Sequence, residues 1–212
     1  MNSSFSLYIK KITLGKLSTN CYIIGCNKTK QAAIIDPAEN NKIFLEILEN
    51  NNFQLKYIIN THGHSDHIGG NEILKRETSA RLLINSLDEE MLSDPQKNLS
   101  FFIGNTVKSP PADDYLEEGK RIKIGLLRIT VIHTPGHSPG SVALKIGKIV
   151  FTGDTLFKNG IGRTDLPGGS IAAITNSLRH KLMTLDFDCK IFPGHGPDSV
   201  LKYEIKNNPW LQ

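Results

Sequence analysis

A cluster of histidines follows a predicted buried strand and limits what this chain can fold into. Within residues 55–60, Tyr57, Ile58 and Ile59 make a continuous apolar run typical of a strand that is covered on both faces. The chain then reads Thr61-His62-Gly63-His64-Ser65-Asp66-His67. Side chains two positions apart in an extended segment point the same way, so His62 and His64 can bind one cation. Asp66 and His67 begin a predicted helix and diverge from that pair, so they can bind a second cation.

Three further candidate ligands follow strand-like segments later in the chain, and each is directly preceded by glycine. They are His137, Asp154 and His195. Binding sites of α/β proteins lie at the ends of their strands, so we expect these side chains to converge at one sheet edge. Nitrogen and carboxylate ligands suit zinc, iron or manganese. The sequence therefore predicts a metal site built from distant parts of the chain.

Strand patterns and helical patterns alternate along the chain, which is typical of an α/β fold with two sheet-forming halves. The predicted strands are 6–14, 20–25, 32–35, 55–60, 81–84, 121–124, 127–133, 141–146, 148–152 and 189–192. The predicted helices are 41–50, 66–76, 171–185 and 199–207. Prolines and a glycine interrupt residues 92–114, which we expect to form a surface excursion with one helical turn.

The ligand pattern resembles that of the metallo-β-lactamase superfamily. The motif His62-x-His64-x-Asp66-His67 is followed by His137, Asp154 and His195 in the order of that family. Residues 151–211 are similar to a short subgroup of glyoxalase II-like (hydroxyacylglutathione hydrolase-like) enzymes. The similarity is carried by Gly153-Asp154-Thr155-Leu156-Phe157, Gly162-Arg163-Thr164-Asp165 and Gly194-His195-Gly196-Pro197. The resemblance to the superfamily as a whole covers about residues 20–211.

The resemblance implies a four-layer αββα sandwich, two mixed β-sheets flanked by helices, as one domain over residues 1–212. It implies two divalent metal ions per chain, with zinc expected first and iron or manganese as alternatives. By this resemblance His62, His64 and His137 hold one ion, and Asp66, His67 and His195 hold the other. Asp154 bridges them, so Asp66 and Asp154 are the candidate catalytic carboxylates.

The activity implied is hydrolysis of S-lactoylglutathione, or of a related small acidic thioester or ester, by a hydroxide that bridges the metals. Lys158 and Arg163 are candidate ligands for a substrate carboxylate, although Arg163 is equally able to pair with Asp165. Few residues follow His195. We therefore expect no C-terminal helical domain of the kind that binds glutathione in longer enzymes, and recognition of glutathione stays open.

Other activities of the same fold remain open from the sequence. The Arg163-Thr164-Asp165 element also resembles persulfide dioxygenases, which use a single iron. The ligands of that iron would here be His62, His137 and Asp154. An RNA-processing nuclease and a non-catalytic, metal-stabilised binding module are further alternatives.

Composition favours a small-molecule enzyme. A net charge of +4 over 212 residues, without a Lys/Arg run, disfavours nucleic-acid and membrane partners. Three cysteines without Cys-x-x-Cys spacing argue against a disulfide framework. No secretory or membrane-spanning pattern is present in the sequence. We therefore expect a cytoplasmic monomer or small homo-oligomer that acts on anionic small molecules.

Overall fold

Two six-stranded mixed β-sheets form the centre of the protein in a computed structural model that describes residues 7–212. The first sheet contains, in spatial order, β1 (Leu7–Leu14), β2 (Thr19–Cys26), β3 (Gln31–Ile35), β4 (Gln54–Ile59), β5 (Arg81–Ile84) and β6 (Asp114–Tyr115). The second contains β7 (Arg121–Ile124), β8 (Leu127–His133), β9 (Val142–Ile146), β10 (Ile149–Gly153), β13 (Lys190–Pro193) and β14 (Ser199–Val200). A separate hairpin consists of β11 (Leu156–Phe157) and β12 (Gly160–Ile161). Residue 6 of the predicted first strand lies outside the described residues.

Helices cover the outer face of each sheet. They are α1 (Ile43–Asn50), α2 (Ser65–Ile68), α3 (Asn71–Thr78), α4 (Glu89–Ser93), α5 (Ile171–Ser177) and α6 (Leu201–Asn207). The inner faces of the two sheets share one apolar core, to which Tyr22 and Phe151 contribute with ring centroids 4.9 Å apart. Phe44 packs on the outer face of the first sheet and Leu178 on that of the second. The predicted four-layer order is therefore observed. None of the helices in residues 7–212 has the length and apolarity needed to cross a bilayer.

The strand directions bring distant residues to one edge of the sandwich. β3, β4 and β5 are parallel to one another, and β10 is parallel to β13. Parallel strands place their carboxyl ends at the same edge, so the loops that follow β4, β10 and β13 meet there. The two sheets are joined at this edge by a hydrogen bond from the Asn20 amide to the Gly194 carbonyl, at 2.7 Å.

The helix predicted over 66–76 is in fact two helices, α2 and α3, separated by Gly69 and Gly70. A Cβ at Gly69 would overlap the Ala38 carbonyl, and one at Gly70 would lie 2.6 Å from the Glu39 carbonyl. The chain therefore passes close to the backbone that follows β3, where no side chain fits. This close approach ends the regular helix that the apolar spacing predicts.

Two other predicted segments also differ in detail. The excursion 92–114 begins within α4 and contains a 3₁₀ turn, Ser100–Ile103, before β6. The predicted helix 171–185 is α5 followed by a π-helical turn, Leu178–Leu182. The predicted helix 199–207 starts with the two residues of β14, and α6 follows.

Candidate metal centre

The loop after β4 and the first turn of α2 carry four of the predicted ligands. His64 has an extended backbone and is the residue before α2, so Asp66 and His67 lie in that first helical turn. Asn60, at the end of β4, donates from Nδ2 to the His67 carbonyl at 2.9 Å. This bond closes the loop and fixes His67 relative to the strand.

His62, His64 and His137 form a first group of buried imidazoles. One ring nitrogen from each lies within 4.8 Å of those of the other two. His64 Nδ1 and His137 Nε2 are 2.9 Å apart. The structure thus brings these three predicted ligands together, although His137 lies far from the other two in sequence.

Asp66, His67 and His195 form a second group, whose ligand atoms also lie within 4.8 Å of one another. Asp66 Oδ2 lies 3.2 Å from His195 Nε2 and 3.4 Å from His67 Nε2. Thr19, at the start of β2, donates from Oγ1 to the same carboxylate oxygen at 2.7 Å. The threonine therefore orients Asp66 toward the two imidazoles.

Asp154 lies between the two groups, at the end of β10. Its Oδ2 is 3.5 Å from His137 Nε2 and 3.4 Å from His195 Nε2, and its Oδ1 is 3.5 Å from His67 Nε2. One carboxylate therefore faces ligand atoms of both groups.

Buried polar atoms of this centre lack hydrogen-bond partners among the described residues. They include Nε2 of His62, Nε2 of His64, Nε2 of His67 and Oδ1 of Asp154. A buried polar atom without a partner costs about 1–3 kcal/mol, and coordination to a cation removes that cost. Imidazole nitrogens and carboxylate oxygens suit zinc, iron and manganese alike. The residues present therefore fit two divalent ions.

Backbone carbonyls orient two of the imidazoles. His137 Nδ1 lies 2.8 Å from the Arg163 carbonyl, and His195 Nδ1 lies 3.1 Å from the Leu17 carbonyl. A carbonyl only accepts hydrogen bonds, so Nδ1 carries the proton in each ring and Nε2 is free to bind a metal.

Asp36 supports the centre and was not identified from the sequence. It follows β3, and its Oδ2 lies 3.0 Å from His67 Nδ1. The Thr61 amide and hydroxyl both donate to the same carboxylate at 2.7 Å. Its position directly after a predicted strand is the signal, shared with the predicted ligands, that could have identified it.

Asp88 is a second buried carboxylate that sequence reasoning missed. It accepts hydrogen bonds from the Gly63 amide at 3.0 Å, the Gly140 amide at 2.7 Å and the Ser138 hydroxyl at 2.6 Å. Burial raises the pKa of Asp88, against the opposing effect of these donors. Asp88 thus connects the loop of His62 and His64 to the loop of His137. It lies in a segment without a strand-end pattern, and no sequence signal marked it.

The metal-free centre divides into neutral and charged imidazoles. Burial, aided by neighbouring histidines, lowers the pKa of His62 well below its usual value and that of His64 to about 3. Burial also opposes charge on His67, but Asp66 and Asp154 outweigh it and raise the pKa of His67. Burial likewise acts against charge on His195, and the same two carboxylates raise its pKa to about 10.

The pKa values of the two carboxylates are lowered by the same interactions. Burial favours their neutral forms, but the charge of His67 and bonds from His195 outweigh it and lower the pKa of Asp66. His67 and His195 lower the pKa of Asp154 in the same way. Both aspartates are therefore ionised at neutral pH. Protons on the imidazoles balance the aspartates when no metal is bound.

Glycines before the ligands allow the backbone to pack closely around the centre. Gly153 has φ of +47°, and a Cβ there would overlap the Thr61 hydroxyl. A Cβ at Gly194 would overlap Asp154 Oδ1 and lie 2.9 Å from His67 Cε1. The glycine that precedes each of these ligands in sequence therefore has a steric role.

A cavity of about 860 Å³ opens onto the centre. Arg163 lines it, and its guanidinium donates two hydrogen bonds to Asp165, at 3.0 and 2.7 Å. Lys158 is exposed on the β11–β12 hairpin, and its Nζ lies 5.5 Å from the centroid of the Tyr203 ring. Of the two predicted substrate ligands, the described lining includes Arg163 but not Lys158.

Sequence comparison places this arrangement in a family. The sequence model of the metallo-beta-lactamase superfamily matches residues 14–195. The chain belongs to the metallo-β-lactamase superfamily. The fold and the family predicted from the ligand pattern are thereby confirmed.

Relatives within the metallo-β-lactamase superfamily match nearly the whole chain. Hydroxyacylglutathione hydrolase GloC of Haemophilus influenzae is 32% identical over 207 residues, which are 96% of this chain and 97% of the relative. The crystal structure of BLEG-1 B3 metallo-beta-lactamase superposes with a TM-score of 0.91 at 34% identity, covering 97% of this chain and 100% of the other. The crystal structure of TTHA1623 in a di-iron-bound form superposes with a TM-score of 0.85 at 33% identity, covering 95% of this chain and 100% of the other.

Proposed function

We propose that this protein is a dinuclear metal hydrolase of thioesters or esters, with S-lactoylglutathione and related small acidic thioesters as candidate substrates. The observation that carries the proposal is Asp154, whose carboxylate faces both ligand groups at 3.4–3.5 Å. The relative named as a hydroxyacylglutathione hydrolase supports the reaction class. The di-iron-bound relative supports two metal ions and leaves iron open beside zinc and manganese.

When bound, two divalent ions lower the pKa of a water molecule and polarise a carbonyl group. The chain's own residues prepare the site for this chemistry. Asp66 and Asp154 are ionised and act as our candidate catalytic carboxylates, with Thr19 orienting Asp66. The backbone carbonyls that bind His137 and His195 direct Nε2 of each ring into the centre.

Arg163 is the proposed contact for an anionic group of the substrate. Its guanidinium is exposed at the cavity and is held by Asp165. Both side chains of this ion pair are exposed, and exposed ion pairs are weak, so a substrate carboxylate can compete for the arginine.

A mononuclear iron persulfide dioxygenase is the alternative, and the second ligand group argues against it. A single iron bound by His62, His137 and Asp154 would leave Asp66, His67 and His195 with no metal. The three ligand atoms of that second group nevertheless lie within 4.8 Å of one another. The geometry thus supports two metals better than one.

Turnover of a thioester panel, with and without chelator, tests the proposal. We expect the metal-loaded protein to hydrolyse thioesters and to lose this activity with chelator. We expect His64→Ala and Asp66→Ala to lose at least ~100-fold in kcat/KM, since loss of a ligand removes metal binding or positioning. His180→Ala is the matched control, because His180 is exposed outside the centre.

The outcomes separate the candidate activities. Unchanged turnover in His64→Ala or Asp66→Ala would contradict the two-metal mechanism. Oxygen uptake with glutathione persulfide and no thioester hydrolysis would favour the dioxygenase. A β-lactam in the same panel tests the activity named for the BLEG-1 structure, and turnover of the β-lactam alone would replace the thioesterase proposal.

A further inference from the structure

Three exposed apolar side chains line the cavity over the metal centre. Leu17, Phe102 and Ile103 are 54%, 70% and 56% exposed, and all three line this cavity. Exposed apolar surface is unfavourable in water, and a cluster of it beside a cavity marks a surface that binds an apolar group. We call these three residues the apolar wall.

Phe102 and Ile103 of the apolar wall follow a segment that is hydrogen-bonded to the helix carrying two of the candidate ligands. The Ser65 amide, at the start of α2, donates to the Asn98 carbonyl at 3.0 Å. Asn98 is buried, and its side-chain amide donates to the Met91 and Val107 carbonyls, each at 2.9 Å. Leu99 follows with φ of +69°, a backbone conformation that is uncommon for a branched side chain. These contacts connect the segment that carries Phe102 and Ile103 to the first turn of α2, which carries Asp66.

The cavity offers little charge for a highly charged thiol. Among the described residues that line it, Arg163 is the only lysine or arginine. Asp66 and Asp154 belong to the metal centre. A glutathione thioester has two carboxylates and an ammonium group to accommodate, whereas an aliphatic acyl chain needs only apolar contacts. The lining therefore favours an apolar acyl group.

Leu17 and Phe157 lie at the His195 end of the centre, and Arg163 lies at the His137 end. At the His195 end, Leu17 accepts the hydrogen bond from His195 Nδ1, and the Phe157 ring centroid lies 6.0 Å from that of His195. At the other end, the carbonyl of Arg163 binds His137. An acyl chain that lies at the His195 end can contact Leu17 and Phe157, which both line the cavity.

We infer that the preferred substrates are thioesters with a medium-length aliphatic acyl chain, which packs against Leu17, Phe102 and Ile103. The inference rests on the hydrolase function proposed above. In the reaction, water adds to the carbonyl carbon and the C–S bond breaks. The products are the aliphatic carboxylate, the free thiol and one proton. Phe102 is thus a residue that determines specificity.

A series of acyl thioesters of N-acetylcysteamine tests the inference, because this thiol is small and uncharged. The series runs from acetyl through butanoyl and hexanoyl to octanoyl, with S-lactoylglutathione as the comparison. In the metal-loaded wild type we expect kcat/KM to rise about fourfold per methylene, the factor that corresponds to ~0.8 kcal/mol per buried CH₂. We expect the octanoyl thioester to exceed S-lactoylglutathione.

Phe102→Ser should flatten this dependence on chain length, so that kcat/KM for the octanoyl thioester falls more than kcat/KM for the acetyl thioester. Phe187→Ser is the matched control, since Phe187 is 58% exposed and lies outside the cavity lining. It should keep the wild-type dependence. A flat dependence in the wild type, or an unchanged one in Phe102→Ser, would overturn the inference.

Binding separates this inference from the proposed hydrolysis. S-octyl-N-acetylcysteamine is a thioether with no scissile carbonyl, and its binding to chelator-treated protein can be measured by calorimetry. We expect Phe102→Ser to weaken it about tenfold and Phe187→Ser to leave it unchanged. Such binding without any thioester turnover would contradict the hydrolase but support the apolar wall. Thioester turnover that is independent of acyl chain length would contradict binding of the chain to the apolar wall and would still support the hydrolase function.

Discussion

The Gly63 amide donates a hydrogen bond to Asp88 Oδ2 at 3.0 Å, so a carboxylate outside the candidate ligand set holds the residue between His62 and His64. The same carboxylate accepts from the Gly140 amide at 2.7 Å. Asp88→Ala would leave these two buried donors without a partner, at about 1–3 kcal/mol each. We expect the free energy of unfolding to fall by about 2–4 kcal/mol and metal affinity to fall with it.

Denaturant unfolding and metal titration of the variant check this prediction. Asp88→Asn keeps one acceptor oxygen. Its free energy of unfolding and its metal affinity should therefore lie between those of the wild type and those of Asp88→Ala. Asp188→Asn is the matched control at an exposed position and should change stability by less than about 0.5 kcal/mol. Wild-type stability and metal affinity in Asp88→Ala would show that the two loops do not depend on this carboxylate.

Metal binding should release protons at neutral pH. Asp66 and Asp154 hold protons on His67 and His195 in the metal-free centre, and the pKa of His195 is raised to about 10. A metal ion must displace these protons, so we expect release of about two protons per chain at about pH 7.5 and weaker binding as the pH falls. Calorimetry in buffers of different ionisation enthalpy measures this number. Release of none would contradict the charged state assigned to the two imidazoles.

The metal-free protein should lose stability as the pH rises. The pKa of His195 is about 10 in the folded chain and about 6.5 in an unfolded one, so its ion pairs stabilise the fold fully below about pH 6.5. This contribution disappears as the pH rises from about 6.5 to about 10. Thermal unfolding of chelator-treated protein over that range should show a falling Tm, and His195→Gln should show a shallower fall. An equal fall of Tm with pH in the wild type and in His195→Gln would contradict the raised pKa assigned to His195.

Gly194→Ala should impair metal binding by steric overlap, although it removes no ligand. The new Cβ would overlap Asp154 Oδ1, the oxygen that lies 3.5 Å from His67 Nε2. We expect the carboxylate to move and metal affinity to fall at least ~10-fold, as follows when a ligand is displaced. Gly160→Ala is the matched control, since nothing lies within 4 Å of the position that its Cβ would take. Equal metal affinity in both variants would contradict the close packing described for the centre.

The ligand groups could be predicted from the sequence because each ligand follows a strand, and parallel strands end at one edge. The two sheets follow from the same alternation of strand and helix patterns. The prediction of one helix overlooked the Gly69-Gly70 pair, a local signal for the break between α2 and α3. The close contact between Gly69 and the backbone of Ala38 could not be predicted. That contact depends on the tertiary fold and leaves no trace in local spacing.

The supporting carboxylates show the same limit. Asp36 follows a predicted strand and could have been found by the rule that found the ligands. Asp88 could not, because its three donors lie on loops that only the complete fold brings together. The pairing of Arg163 with Asp165 was open from the sequence, and the structure shows it. Whether Arg163 also binds substrate stays a prediction.

The metal content of the purified protein tests the central claim most directly. Mass spectrometry of the metals should find about two divalent ions per chain in the active protein, with chelator removing both metal and thioester turnover. His195→Ala should retain no more than one ion, because it removes a ligand of the second group. One iron per chain in a fully active protein, with His195→Ala unchanged in metal content, would contradict the dinuclear centre.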